Sequence, residues 1–290
     1  MQYLETNKDL TNFSSFRTRS FSKYFFEIKN LEDIDKLKEI ISFARGNNLR
    51  YEFIGAGTNI LFAFEEFDGI MIKNSLKSQD LILKGNILEV FSGDIVILKT
   101  RQLLDKEITR FAPFLGLPGT FGGALVGNAG CFGLEIKDIF ISASVLDLDT
   151  LEIIEINKDF MNFEYRNSRL KNNPKYFVIS MKLDISGQNN LSDIEESIKK
   201  RKETQPRGVA TCGSFFKNPV GDSAGRLIEA VGLKGKILNG AKISEKHANF
   251  FINFDNANYM DILNLRDLAK EKVKAEFGIE LEEEVKIIGQ

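Results

Sequence analysis

The stretch LPGTFGGALVGNAGCFG, residues 117–133, combines much glycine, almost no charge and one asparagine. Glycine inside regular structure is destabilising by about 0.5–1 kcal/mol relative to alanine, so such a cluster needs a reason. A flexible linker would mix its glycines with serine, proline and charge. Here they alternate with leucine, phenylalanine, valine and alanine, which favour burial. Residues 116–133 hold seven of the chain's 23 glycines. A buried glycine-rich loop makes sense where backbone N–H groups approach an anion and no side chain may intervene. Gly55-Ala56-Gly57-Thr58-Asn59 offers the same chemistry, although taken alone it reads equally as a structural turn. Two such loops point to a cofactor carrying a diphosphate. Neither follows G-x-G-x-x-G or G-x-x-x-x-G-K-[ST], so the ligand-binding fold is neither a Rossmann unit nor a P-loop unit.

The rest of the chain sets bounds. It has 290 residues, 43% hydrophobic and 28% charged, with a net charge of -2. That length suggests two or three domains, and the charge balance shows no broad basic field for nucleic acid. No apolar run reaches the ~18 residues of a membrane span, and the N-terminus has no basic segment followed by an apolar one. A cytoplasmic protein is expected. The two cysteines, Cys131 and Cys212, are a poor disulfide framework, and one histidine, His247, makes a metal site improbable. The sequence around Ser214 is no G-x-S-x-G elbow, so a hydrolase reading is weak.

Local patterns give an α+β chain. Residues 30–48 predict a helix capped by Asn30, with Ile34, Leu37, Ile41 and Ala44 on one face and Gly46 at its end. RYEFIG predicts a strand, and LILKGNILEVFSG a hairpin turning at Gly85-Asn86. VLDLDTLEIIEI predicts a second hairpin turning near Asp149-Thr150, and YFVISMKLDI a further strand. Composition shifts near Gly187, where a domain boundary is expected. Beyond it come a basic helix with a capping box at Ser192 and Glu195, and a short helix over 226–231. A long helix over 259–277 should bury Ile262, Leu265, Ala269, Val273 and Phe277 and end at Gly278. EVKIIG predicts a last strand.

Seven motifs carry a resemblance. GAGTNIL, LPGTFGGALVGNAGCFG, YRNS, GSFFKNP, AGRLIEAVGLKG, GAKISEKHANFFIN and LEEEVKIIG resemble, in this order over residues 16–289, the UDP-N-acetylenolpyruvoylglucosamine reductase family. GSFFKNP and SEKHANF are the specific ones; related flavoproteins carry similar glycine-rich loops. The resemblance implies a two-part FAD-binding region of the vanillyl-alcohol-oxidase (PCMH) type over 1–187, with subdomains of about 1–75 and 76–187. A C-terminal α+β substrate-binding domain over 188–290 would follow. The length resembles the shorter class, which lacks the tyrosine-bearing lid. The implied reaction is NADPH-dependent, FAD-mediated reduction of UDP-N-acetylglucosamine enolpyruvate to UDP-N-acetylmuramate for peptidoglycan, hence for cell wall, shape and division. FAD would be held non-covalently, NADPH would be the co-substrate, and the chain is expected to act as a monomer without metal, nucleic acid or membrane.

The same resemblance assigns residues. Gly55, Gly57, Thr58 and Asn59 would hold the FAD diphosphate. Gly119, Thr120, Gly122, Gly123, Asn128, Ala129 and Gly133 would pass along the cofactor, where bulk would collide with the flavin. Negative charge develops on C2 of the enolpyruvyl group and spreads into its carboxylate, so a fixed cation and an acid are needed. Arg166 would clamp the carboxylate. Ser214 would supply the proton, and Glu284 would stabilise the enol, held protonated by burial. Lys217 and Asn218 would meet the UDP diphosphate.

Each residue has a plainer reading beside this one. Arg166 alone reads as a surface or structural arginine, Ser214 as a cap or loop hydroxyl, and His247 as a structural hydrogen-bonder. Glu284 sits among Glu280, Glu282 and Glu283, and an acidic run usually forms a solvated face. Alternation along a strand separates Glu284 from Glu283, so one can be buried while the other is wet. The chain also departs from the family pattern. SFRTRSFS stands where TFRIGGPA is usual, with Arg19 and Ser20 replacing two glycines. Cys131-Phe132 replaces Ala-Tyr, Cys212 replaces a common alanine, and LEEEVK replaces LEPEVR. The rival readings are another flavin-dependent oxidoreductase on this fold, or a non-catalytic UDP-sugar or flavin-binding module. No histidine precedes His247, which closes histidyl tethering of the flavin in the N-terminal half.

Overall fold

The computed structural model describes residues 1–289. The chain is α+β and divides into two compact units. The first takes Met1–Leu4, Phe26–Ala56 and Ile72–Lys199; the second takes Glu5–Phe25, Gly57–Met71 and the chain from Lys200 onward. The amino-terminal 71 residues therefore alternate between units. The strands Phe21–Ile28 and Glu66–Asn74 each run through the division. Gly187, where the composition shifts, adopts φ 85° in the bend after the strand Tyr176–Asp184.

The first unit is built on a five-stranded antiparallel sheet in the order Ile153–Asn157, Phe140–Asp147, Tyr176–Asp184, Ile87–Phe91 and Ile82–Lys84. Both predicted hairpins are present. Gly85 takes φ 58°, which its turn requires, and Asp147 Oδ1 accepts from the N–H groups of Asp149 and Thr150 at 2.8 and 3.3 Å. Leu88, Val90, Val145 and Leu183 of the sheet pack with Phe111, Phe114 and Phe121 in one core. The helix Asp33–Gly46 buries Ile34, Leu37, Ile40, Ile41 and Ala44. Asn30 Oδ1 accepts from Asp33 N at 3.1 Å, while the Asp33 carboxylate accepts from Lys29 and Asn30 N. Gly46 closes the helix as its last residue; the left-handed position is Asn48, φ 53°.

In the second unit the helix Tyr259–Phe277 packs on a three-stranded sheet ordered Ile237–Leu238, Ala241–Ile243 and Phe251–Asn253. An Asn258–Asp261 capping box starts the helix, and Gly278 at φ 68° ends it. Ile262, Leu265, Ala269 and Val273 join Phe16, Phe215, Phe216 and Phe251 in the core. Phe277 does not: it is 38% exposed, on the last turn, with the Arg226 guanidinium 5.5 Å from its ring. The final strand Lys286–Ile288 pairs in parallel with Ile60–Phe62.

One helix start also differs from expectation. The helix Leu191–Thr204 begins before Ser192, so no Ser192–Glu195 box forms. Asn190 Oδ1 instead accepts from Ser192 N and Oγ at 3.1 and 2.9 Å. An asparagine is as good a cap as serine, and here it lies two residues earlier.

Candidate active site

The glycine-rich stretch is more ordered than a loop. Thr120 caps a short helix, Phe121–Val126, by accepting from Gly123 N at 3.3 Å. Phe121 N and Gly122 N donate to the carbonyls of Asp94 and Ser92 at 2.9 and 2.7 Å. Gly119 takes φ 111° before the helix and Gly133 φ 82° after it. A Cβ on Gly122 would lie 2.9 Å from the Ser92 carbonyl oxygen, and a Cβ on Gly55 would lie 2.8 Å from Thr120 Oγ1. The two glycine clusters thus meet within the first unit, through Gly55 and Thr120. Lys73 Nζ donates to the Gly55 carbonyl, and burial pulls its pKa below the usual lysine value. A lysine inside the apolar strand sequence GIMIKN was the available signal for this residue, and sequence reasoning missed it.

Asn128 is fully buried at φ 42°. Its amide donates to Glu135 Oε2 at 3.2 Å and to the Glu164 carbonyl at 2.8 Å, and its oxygen accepts from Lys137 N at 3.0 Å. These bonds fix the turn that carries Arg166. Arg166 sits at φ 54°, a strained conformation costing of order 1–3 kcal/mol. Its Nη2 donates to the Gly130 carbonyl at 3.1 Å, and its Nη1 lies 3.6 Å from Glu135 Oε1. A cavity of about 360 Å³ is lined by residues 130–135, Lys137, Asp138 and Arg166. Glu135, which orients the arginine, is a second residue that sequence reasoning missed; it is the first acid after the charge-poor stretch.

Ser214 and Glu284 lie on facing segments of the second unit. Ser214 bridges to Phe250, and Phe215 O accepts from Glu284 N at 2.9 Å. The Ser214 hydroxyl is half-buried and makes no hydrogen bond among the described residues. Glu284 is half-buried too, and its carbonyl accepts from Asn59 Nδ2 at 3.0 Å. Lys217 Nζ pairs with Glu282, and Asn218 Oδ1 accepts from Ala224 N at 3.1 Å.

From Gly55 to Asn59 no backbone N–H donates a hydrogen bond among the described residues. Only Gly57 of these five is buried, so water or an anion such as the diphosphate of a flavin dinucleotide can take these N–H groups. Gly133 lines the cavity, and no atom lies within 4 Å of the position a Gly133 Cβ would take. Arg19 and Ser20, which replace the usual glycines, both avoid the left-handed region, so those substitutions cost no backbone strain.

Cys212 and His247 are held by structural contacts, whereas Cys131 lines the cavity. Cys212 Sγ is held 3.2 Å from the Ile60 carbonyl, and burial pushes its thiol up to about 12. In native protein at about pH 8, a thiol reagent is expected to modify the partly exposed Cys131 and spare Cys212 until unfolding. His247 accepts from Asn249 N through Nδ1 at 3.3 Å and packs on Phe250. Burial lowers its pKa from 6.5, so the unfolded chain binds the proton more readily. Stability is retained above about pH 6.5 and lost as pH falls toward the folded value. His247→Gln is expected to flatten the stability slope below about pH 6.5, read by urea unfolding at stepped pH.

Among the described residues, no group of three or more His, Cys, Asp or Glu could hold a metal, and no helix is long and apolar enough to cross a membrane. Residues 28–157 match the family profile described as an FAD binding domain. Residues 205–288 match the profile of the UDP-N-acetylenolpyruvoylglucosamine reductase C-terminal domain. Fold and loops together define an FAD-dependent oxidoreductase. A reductase of that name from Prochlorococcus marinus is 35% identical over 97% of this chain and 95% of its own. One from Chloroflexus aurantiacus is 36% identical over 98% and 97%. The crystal structure of UDP-N-acetylenolpyruvylglucosamine reductase from Thermus caldophilus superposes with a TM-score of 0.79 at 27% identity, covering 98% of both chains. The chain belongs to the UDP-N-acetylenolpyruvoylglucosamine reductase family.

Proposed function

We propose that this protein reduces UDP-N-acetylglucosamine enolpyruvate to UDP-N-acetylmuramate, with NADPH as reductant, as a cytoplasmic monomer serving peptidoglycan synthesis. The observation that carries the reading is the uncommitted Ser214 hydroxyl beside the Glu284 segment. A hydroxyl with no partner can give its proton to a substrate carbon, whereas one bonded to a carbonyl cannot without losing that bond. In this reading residues 1–187 carry the cofactor and 188–290 the UDP-sugar.

Bound FAD supplies two-electron transfer between the nicotinamide and the enolpyruvyl group. The main chain at Gly55, Gly57, Thr58 and Asn59 holds its diphosphate. Gly119, Thr120, Gly122, Gly123, Asn128, Ala129 and Gly133 shape the surface along it, Asn128 through its neighbours. Arg166, oriented by Glu135 and Gly130, holds the substrate carboxylate and the charge that spreads into it. Ser214 protonates C2, and Glu284 stabilises the enol. Lys217 exchanges Glu282 for a phosphate oxygen, and Asn218 offers its amide N–H groups to the same diphosphate.

The test is anaerobic. NADPH should bleach the flavin band, and the enolpyruvyl substrate should restore it faster than air does. Recovery with oxygen alone at a comparable rate would make the protein an oxidase and end this proposal.

A further inference from the structure

The acidic run at 280–284 is not one solvated face. Glu280 pairs with Lys274 and Glu282 with Lys217. Glu283 pairs with Lys270 at 2.8 Å, and Arg266 lies 3.8 Å away while also holding Asp267 at 2.8 Å. Lys270 and Arg266 are four residues apart on the helix Tyr259–Phe277, so they share one face of it.

The backbone around Glu283 is lightly anchored. Phe216 and Glu283 form an isolated bridge. Lys217 N donates to Glu282 O at 2.8 Å, and Glu284 N and Val285 N both donate to Phe215 O, at 2.9 and 3.3 Å. No strand of regular length holds this register until Lys286. In extended chain a slip of one residue exchanges the faces, and Glu284 would trade places with Glu283.

We propose that Glu283 is a positioning residue. Its ionic clasp to Lys270, supported by Arg266, ties the Glu283 side to the helix and so leaves the opposite side to Glu284. This rests on the assignment of Glu284 above. The clasp is partly exposed and ionic, so salt should loosen it. Glu283 N donates no hydrogen bond among the described residues, and its φ is not positive, so proline can replace it without losing a bond. Proline would stiffen the segment without charge.

The experiment uses the FAD-bound enzyme and two readouts. Glu283→Gln and Lys270→Gln should each speed amide exchange at Glu284 and Val285 about fivefold and lower kcat for the enolpyruvyl substrate by a similar factor. The double variant should do no more than either single one. Flavin reduction by NADPH and KM should stay unchanged. Glu283→Pro should restore both exchange and kcat, and should lose the salt sensitivity of the wild type. Unchanged exchange in Glu283→Gln, additive effects, or equal damage to flavin reduction would each overturn the clasp. A wild type that exchanges as expected but does not reduce the enolpyruvyl ether would overturn the functional reading instead.

Discussion

Ser214→Ala is expected to accept electrons from NADPH at the wild-type rate and then to stall. General acid catalysis contributes typically 10²–10⁴-fold, so kcat for the enolpyruvyl substrate should fall about 10³-fold. KM should move little, because the lost proton transfer belongs to the transition state. A serine hydroxyl is a weak acid in water. It becomes effective only where charge is building on the acceptor carbon and a cation holds the conjugate carboxylate, the role given to Arg166. The structure favours this residue over its neighbours because its hydroxyl is uncommitted, whereas the buried Ser14 gives its own to the Ile60 carbonyl at 2.6 Å. Ser214→Cys keeps a dissociable proton and should retain part of the rate. Stopped-flow absorbance separates the two half-reactions. If Ser214→Ala turns over like the wild type, the proton comes from elsewhere and the assignment fails.

What the sequence discloses here is what local chemistry controls. The turns at Gly85 and at Asp149-Thr150 and the Gly278 stop are set by residues within a few positions, and each was legible; the Asn258 cap is equally local but was not read. The helix Phe121–Val126 was hidden because glycine is a poor helix former, and its first N–H groups are satisfied by Asp94 and Ser92 from another segment. The parallel pairing of Ile60–Phe62 with Lys286–Ile288 joins residues far apart in sequence, and no periodicity reports it. The interleaving of the two units was invisible for the same reason. In the site, alternation along a strand lets one of Glu283 and Glu284 be buried and the other wet, whereas both are half-buried and neither lies in a strand. Nothing local announced the ion pair that holds Glu283. The lysine that engages it stands thirteen positions earlier, on a helix. Glu135 was missed because its importance comes from the folded position of Arg166.

Gly57→Ala should have the largest effect on folding, and its cause is the chain itself. Gly57 sits at φ 69°, where a Cβ would lie 1.9 Å from the Phe13 carbonyl oxygen and 2.7 Å from its carbon. The obstacle is backbone and cannot rotate aside. Phe13 is held from Leu10 O at 2.8 Å, and its ring packs 5.2 Å from that of Phe25. Gly57 O in turn accepts from Ser15 N at 2.9 Å, so moving either segment breaks the bond that joins them. Left-handed strain of about 1 kcal/mol and an overpacking cost of about 1–3 kcal/mol give roughly 3 kcal/mol. That should lower the melting temperature of the apoprotein by about 5 °C. Gly133→Ala supplies the control. It shares the positive φ, but nothing lies within 4 Å of the added carbon. It should cost the apoprotein only about 1 kcal/mol and act mainly on FAD affinity, read by flavin fluorescence. The sequence alone attributes both glycines to the flavin; the structure separates them. An apoprotein of Gly57→Ala that melts with the wild type would place its constraint in the ligand and refute the internal cause.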